Sequence, residues 1–420
     1  MPQTVVFLAS GTRGDVQPEV ALGLGLRAAG LRAVIATHRE FRPLVEGAGL
    51  PFALLDGNPS AWMTRAGGQS ALTYDGDLIR SVRASLDYLR AVRPLYTRLL
   101  ASAQTAVRGA DALVAGLATT WGLHLAEALG VPCLWAFLQP VARTRFFPSA
   151  LLPFRASRGA AYNALTHRLV EQAMWQPWRS LLNAWRRQLG LRPAPFWGLA
   201  GRLNDPASAV MVGVSPSVLP RPTDWPAGHA VTGYWFRDDE PGWSPPAALA
   251  RFVEAGRVVS VGFGSPGTLP ARRMLERVAR ALELADLRAV VAAPAEMGEG
   301  PRAERVFPVK SVPHHWLFPR VAAAVHHGGA GTTAYSLRAG APTVILPQAI
   351  DQFFWGERVA ALGAGPRPVP QRALTAEALA GAMRRAVDDA GLRERAQALG
   401  AAISAEEGVA RAVAFIRARL

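Results

Sequence analysis

Along the first half of the chain, short β-rich apolar runs alternate with stretches of helical period. Residues 5–8 form the first run, which ends in Gly11-Thr12-Arg13-Gly14-Asp15. A helix is predicted from about residue 18 to residue 29, with Pro18 suited to its first turn and Gly30 ending it. Residues 33–36 read as the next strand, and residues 111–114 and 130–135 repeat the pattern. Strands that alternate with helices imply parallel pairing through right-handed crossovers. A Pro-rich stretch from Ser215-Pro216 through Pro220-Arg221-Pro222 leads past Trp225 to Pro245-Pro246, a composition that suits an extended inter-domain connection. A second αβ series opens with a strand at 258–261 ending in Gly262-Phe263-Gly264-Ser265. Later strands are predicted at 289–292, 322–325 and 343–346. The expected fold is therefore α/β, with two facing Rossmann-like domains over residues 1–222 and 223–403. Residues 404–420 are expected to form a C-terminal helix that packs back on the first domain. Ligands in such sheets bind beyond the carboxyl ends of the strands, so the cleft between the halves is the expected active site.

Composition then narrows the class. Half of the 420 residues are hydrophobic, which allows large cores and excludes a disordered chain. The net charge is +15, and Lys310 is the only lysine, so the excess is arginine. A positive surface favours anionic partners: phosphate ligands, an anionic membrane or nucleic acid. Net charge alone stands behind nucleic acid, which is not expected as a partner. The one cysteine, Cys133, excludes an internal disulfide and a cysteine metal site and fits a reducing cytoplasm. The opening residues read as a strand and not as a signal peptide. The longest apolar stretch, 112–131, is interrupted by His124 and Glu127 and falls short of a membrane span.

The strongest chemical signal is His326-His327-Gly328-Gly329-Ala330-Gly331-Thr332-Thr333, between a predicted strand and a predicted helix. Small residues let backbone approach a ligand, and a helix N-terminus offers free N–H groups and partial positive charge to a phosphate. Twenty-five residues after His326 stands Asp351-Gln352. Alone the pair suggests a loop cap. After such a turn, its vicinal acceptor and amide groups could bond several hydroxyls of one sugar ring.

With these segments the chain resembles the GT-B glycosyltransferases of family 1, the bacterial branch near sterol glucosyltransferases and antibiotic-aglycone glycosyltransferases. The carrying motifs are Gly11-Thr12-Arg13-Gly14-Asp15-Val16-Gln17-Pro18, Val231-Thr232-Gly233-Tyr234-Trp235, Val312-Pro313-His314-His315-Trp316-Leu317-Phe318, and the block from His326 to Gln352. The resemblance implies an inverting, metal-independent hexosyltransferase that moves sugar from a nucleotide diphosphate to a hydroxyl of a lipophilic acceptor. It implies Asp15 as the general base, although its spacing to Pro18 by itself favours a helix N-cap. It implies donor contacts at Thr12, Arg13, Gly14, Gly264, Ser265, Ser311, Val312, His326, Gly328, Gly329, Ala330, Gly331, Thr332, Asp351 and Gln352. Ser311 departs from the pattern, since many relatives carry there a Trp that stacks on the nucleotide base; His315 also stands where close relatives often have an acidic residue. Segments such as 141–200, with Phe146, Phe147, Trp175 and Trp178 among many arginines, line the acceptor pocket in this family. The same mixture suits the face of an anionic membrane.

No metal is expected: Asp75-Gly76-Asp77 has a cation-binding spacing but reads as a solvated turn far from the phosphate segments. No resident cofactor is expected either, the nucleotide sugar being a co-substrate. Two rival classes are a dinucleotide-dependent oxidoreductase and a non-catalytic binder of lipid or nucleotide sugar. The first fails because Gly23-Leu24-Gly25 lies within a helix and lacks the third glycine. Retained Asp15 and Asp351-Gln352 oppose the second.

Overall fold

Two parallel sheets organise the chain. The computed structural model describes residues 2–58, 78–152, 157–238, 243–262, 271–292, 305–370 and 373–420. The chain divides into one unit that runs to Arg237 and takes back Glu407–Leu420, and another over Asp238–Glu406. In the first unit the order is β1 (Thr4–Leu8), α1 (Arg13–Ala28), β2 (Arg32–Thr37), α2 (Arg42–Glu46), β3 (Phe52–Leu54), α3 (Leu78–Ala106), β4 (Ala112–Ala115), α4 (Gly122–Leu129), β5 (Cys133–Phe137), α5 (Ala160–Trp175), α6 (Arg179–Gln188), β6 (Ala209–Val212) and β7 (His229–Val231). The second has α7 (Ala247–Glu254), β8 (Val258–Gly262), α8 (Ala271–Ala285), β9 (Arg288–Ala292), β10 (Val306–Val309), α9 (His314–Leu317), β11 (Ala323–His326), α10 (Ala330–Arg338), β12 (Thr343–Ile345), α11 (Gln352–Ala361), α12 (Ala376–Asp388) and α13 (Ala390–Ser404). Helix α14 (Gly408–Arg417) returns to the first unit.

The sheet orders are β3-β2-β1-β4-β5-β6-β7 and β10-β9-β8-β11-β12. Each reverses direction once, between β1 and β4 and between β8 and β11, and such a switch point is where an open parallel sheet binds ligands. Side chains of a strand alternate between faces, and here both faces are covered. Val5 and Phe7 join the core with α1 and α14, while Val6 and Leu8 join the core with Leu99, Leu100 and Trp121. That is why β1 reads as an unbroken apolar run. In the second unit Val259 and Val261 face one core and Val258 the other.

The boundary lies later than residue 222. The Pro-rich stretch links β6 to β7, whose parallel pairing adds a seventh strand to the first sheet. Trp235 is then buried in the first core, its indole N–H bonded to Thr232 Oγ1 at 2.9 Å. Helix α14 packs its buried Ala412, Val413 and Ile416 into the same core, and any Cβ at Gly25 of α1 would meet Val409 and Val413.

Candidate functional site

At the switch point of the first sheet, the loop after β1 leads straight into α1. Thr12 is the N-cap, so the helix starts five residues before the predicted Pro18, which lies inside it. Asp15 is the third helical residue and not the cap. Its Oδ2 accepts the Thr12 N–H at 2.7 Å and the Thr12 hydroxyl at 3.0 Å, one half of a capping box. Gly11, at φ +134°, is required, because a Cβ there would fall on the Asp15 carboxylate. Oδ1 has no bond among the described residues. Burial raises the Asp15 pKa, and the two Thr12 bonds offset this only in part. The result is a carboxylate more basic than a free one, held in one orientation with one oxygen open. Gly14 and Arg13 are exposed, and Arg13 is bonded to Gln17 across one helical turn.

Three neighbours were not singled out from sequence. Glu19, one turn beyond Asp15, is 5% exposed and its Oε2 has no partner among the described residues. Burial, then the Asp15 charge, pushes its pKa up to about 8, so it is protonated at neutral pH. The Ser10 hydroxyl lies 2.8 Å from His38 Nε2, and His38 Nδ1 lies 3.1 Å from the Leu55 carbonyl. A glutamate among Val20, Ala21 and Leu22 carries no periodic signal that would separate it from a surface position.

The second switch point carries the Gly-rich turn. His326 ends β11 at 2% exposure. The Gly328 N–H donates to its Nδ1 at 3.0 Å, which leaves the proton on Nε2, 3.2 Å from Ser336 Oγ. Burial, then His327 and His314, hold its pKa well below the usual imidazole value. This bears on the expectation of His326 as a donor contact: one ring nitrogen is taken up by the Gly328 N–H and the other by Ser336 of α10, and the ring is neutral. Gly328 is at φ +92°, where a Cβ would stand 2.6 Å from Ile345 Cγ2; Gly329 caps α10 with its backbone, and a Cβ there would meet His327 Nε2 at 2.6 Å. His327 Nδ1 is buried without a partner among the described residues, and burial pulls its pKa down to about 4. Among the described residues no side chain caps α10, so the first N–H groups, at Ala330, Gly331 and Thr332, have neither an intrahelical acceptor nor a side-chain one there. Among the described residues, nothing outside its own helix backbone and chain neighbours lies within 4 Å of a Cβ placed at Gly331.

Asp351 and Gln352 lie at the start of α11, and their side chains also build the loop. Asp351 is the N-cap residue, 7% exposed, and its Oδ2 accepts the Trp355 indole N–H at 2.9 Å. Gln352 Oε1 accepts from the N–H groups of Gln348 at 2.8 Å and Ala349 at 3.1 Å, and its amide nitrogen has no bond among the described residues. Between them and β12, Ile350 takes φ +52°, a strained value for a β-branched residue and one that clusters at functional loops. Ser311 is exposed between β10 and α9, and Val312 packs on the core beneath. Gly264 and Ser265 lie outside the described residues, as do Asp75 and Asp77.

Residues 5–148 match the family model of the glycosyltransferase family 28 N-terminal domain, and residues 272–414 match that of the erythromycin biosynthesis protein CIII-like C-terminal domain. A sterol 3-beta-glucosyltransferase of Emericella nidulans is 36% identical over 430 residues, covering 99% of this chain and 30% of that protein. One of Candida albicans is 34% identical over 436 residues, with 99% and 28% covered. The kitacinnamycin glycotransferase structure superposes at TM-score 0.73 with 21% identity and full coverage of both chains. The Streptomyces sp. SF2575 glycosyltransferase SsfS6, complexed with thymidine diphosphate, gives 0.63 with 21% identity and 99% of each chain covered. The chain has the GT-B fold of these glycosyltransferase structures. It spans about 30% of the length of the fungal relatives it matches.

Within this GT-B chain the N-terminal model covers Asp15, and the C-terminal one covers the turn from His326 and the Asp351-Gln352 loop. The aromatic residues expected at the acceptor divide. Trp175 is 8% exposed in the first unit's core, with its indole N–H bonded to the Phe196 carbonyl at 2.8 Å. Trp178 packs on that core and stacks on Tyr96 at 4.3 Å between ring centroids. Trp175 is a core aromatic and Trp178 is half-buried against that core, a correction with a simple cause: indole area packed into the core is not offered to a ligand. Phe147 is half-buried beside His167, while Phe146 is 59% exposed.

Proposed function

We propose that this chain is an inverting, metal-independent hexosyltransferase acting on a hydroxyl of a lipophilic acceptor. Its donor is a uridine or thymidine diphosphate sugar. The observation that carries the reading is the pair of switch-point sites. One holds an oriented carboxylate with a free oxygen and a raised pKa; the other is a helix N-terminus with uncapped N–H groups behind a glycine turn. In this reading Asp15 Oδ1 accepts the acceptor's proton as the new C–O bond forms. The leaving diphosphate is stabilised by the amides of Ala330, Gly331 and Thr332, a preorganised electrostatic site that works without a cation. His326 positions that turn and does not touch phosphate. The amide nitrogen of Gln352, with Asp351, meets the sugar, while Ser311 and Val312 lie at the base and Gly264 and Ser265 at the phosphates.

The acceptor class follows from the fungal relatives, named as sterol 3-beta-glucosyltransferases, and extends to other terpenoids, glycolipids and polyketide-type aglycones. Sterols and glycolipids reside in membranes. We therefore place the protein in the cytoplasm, in peripheral contact with an anionic membrane face. Among the described residues, no helix is long and apolar enough to cross a membrane.

The test is Asp15→Asn. Asn keeps an acceptor for the Thr12 N–H and removes the base, so kcat should fall ~10²–10⁴-fold with donor affinity and melting temperature nearly unchanged. NMR of the product should show a β-linkage from an α-linked donor. A wild-type kcat in this variant, or retention at the anomeric carbon, overturns the mechanism.

A further inference from the structure

Helix α5 is built inside out. Its buried positions include Asn163, Thr166, His167 and Glu171, all polar. Each is held by a neighbour: Asn163 donates to the Arg145 carbonyl at 2.9 Å, Thr166 Oγ1 accepts from Ser149 N–H at 2.9 Å, and His167 Nε2 lies 3.2 Å from the Phe147 carbonyl. The Glu171 carboxylate takes two bonds from the Arg143 guanidinium. The outward stripe is apolar. Ala161, Leu165, Leu169 and Ala173 recur every four residues, with Leu165 53% and Leu169 57% exposed. A helix on the surface of a soluble domain ordinarily shows the opposite arrangement.

Exposed aromatics flank both ends. The bonds from α5 to Arg145 and Phe147 bring Phe146 to the helix, and Gln172 Nε2 donates to the Trp197 carbonyl at 3.0 Å, which places Trp197, 68% exposed, at the far end. Six of the nine exposed large hydrophobic residues among those described belong to this face or its flanks, so this is a patch and not ordinary scatter. Its charge is mostly of one sign, the exposed exception being Asp224, which accepts from the Thr144 hydroxyl and the Arg145 N–H at the Phe146 end. Residues 141–204 contain ten arginines and one acidic residue, Glu171, which is buried and paired. Arg145, Arg158 and Arg168 are exposed.

We propose that this face of α5 docks on an anionic lipid bilayer, with Leu165, Leu169 and Trp197 entering the headgroup boundary and Arg158 and Arg168 meeting lipid phosphates. A one-sided apolar stripe rimmed mainly by cations matches the chemistry of that surface, whereas a protein partner would have to supply an acidic rim around an apolar groove. The proposal rests on the reading of a lipophilic, membrane-borne acceptor and names the surface that reaches it.

The experiment is vesicle flotation of the full chain, with phosphatidylcholine alone and with equal parts of phosphatidylglycerol. Turnover of a detergent-dispersed acceptor, the melting temperature and the mass in solution are measured alongside. Wild type should float with the anionic vesicles and release as salt rises. Leu165→Gln/Leu169→Gln, on exposed positions, should keep its melting temperature and its turnover in detergent, and lose binding about tenfold or more. Arg158→Gln/Arg168→Gln should lose about tenfold or more on anionic vesicles alone. Vesicle binding by a protein that transfers no sugar sinks the transferase reading and leaves the docking face standing. The docking proposal is overturned by equal flotation of wild type and the leucine variant, or by no flotation of wild type. It is also overturned by loss of turnover in detergent, which makes the stripe an acceptor wall, or by a wild-type dimer that the leucine variant disperses.

Discussion

Asp15 and Glu19 show how much one helical turn can change a carboxylate. A carboxylate oriented by two Thr12 bonds at one position is followed, four residues on, by one that is neutral at neutral pH and whose Oε2 has no partner among the described residues. The raised pKa of Glu19 has a stability consequence. The folded state holds a proton that the unfolded chain releases near pH 4.5, so its contribution is fully present below that value. It is lost as pH rises through about 8. Glu19→Gln should therefore flatten the fall in stability between pH 4.5 and 8 and be the more stable protein at pH 9, by on the order of a few kcal/mol. Chemical denaturation at a series of pH values checks this, and a parallel pair of curves refutes it. His326→Ala should act in the opposite sense. It removes the acceptor of the Gly328 N–H in a buried turn, so about 1–3 kcal/mol of stability should go together with donor affinity. Calorimetric melting beside titration with the nucleoside diphosphate tests both; loss of affinity with an unchanged melting point would restore His326 as a direct ligand. His326 itself was legible in the sequence, but its role was not, since a histidine next to glycines looks the same whether its ring faces a phosphate or its own turn.

Elements were read best where they are buried on both faces. The strands β1, β2, β4, β5, β8, β9, β11 and β12 fall where continuous apolar runs place them, because a parallel sheet covered by helices needs such runs. Short or edge strands were missed: β10 contains Pro308, tolerable only because it lies at the sheet edge, and β7 has three residues. The start of α1 was displaced because Pro18 looks like a first-turn residue, while the decisive cap, Thr12 with Asp15, is a contact between side chain and backbone. The turn from β11 to α10 yields a test at this scale. Gly328→Ala must adopt φ near +92° and bring a Cβ to 2.6 Å from Ile345. It should cost about 2–4 kcal/mol and abolish diphosphate binding. Wild-type thermal stability in this variant would show that the turn tolerates another backbone path.

Across the whole chain, the first core is closed by a segment that begins at Glu407, 170 positions beyond Arg237, where the rest of its unit ends. Val413 and Ile416 of α14 are buried against α1, at about 1.5–3 kcal/mol for each such side chain. A chain ended at Glu406 should lose several degrees or more in melting temperature, read by circular dichroism; an unchanged melting point would mean that α14 adds nothing to the first core. Sugar transfer should persist in excess EDTA, because the leaving diphosphate is assigned to helix amides. Loss restored by Mg²⁺ or Mn²⁺ would return attention to Asp75 and Asp77.

The chain's own order of residues determined the α/β class, the two strand–helix series and the position of the glycine turn, because burial of parallel strands and tight strand-to-helix turns restrict residue types locally. Tertiary structure alone decided that Glu19 is neutral, that His326 is inward, that Trp175 is core with Trp178 packed against it, and that the stripe on α5 faces outward. Those outcomes depend on what packs against a side chain, and the partners come from elements far along the chain.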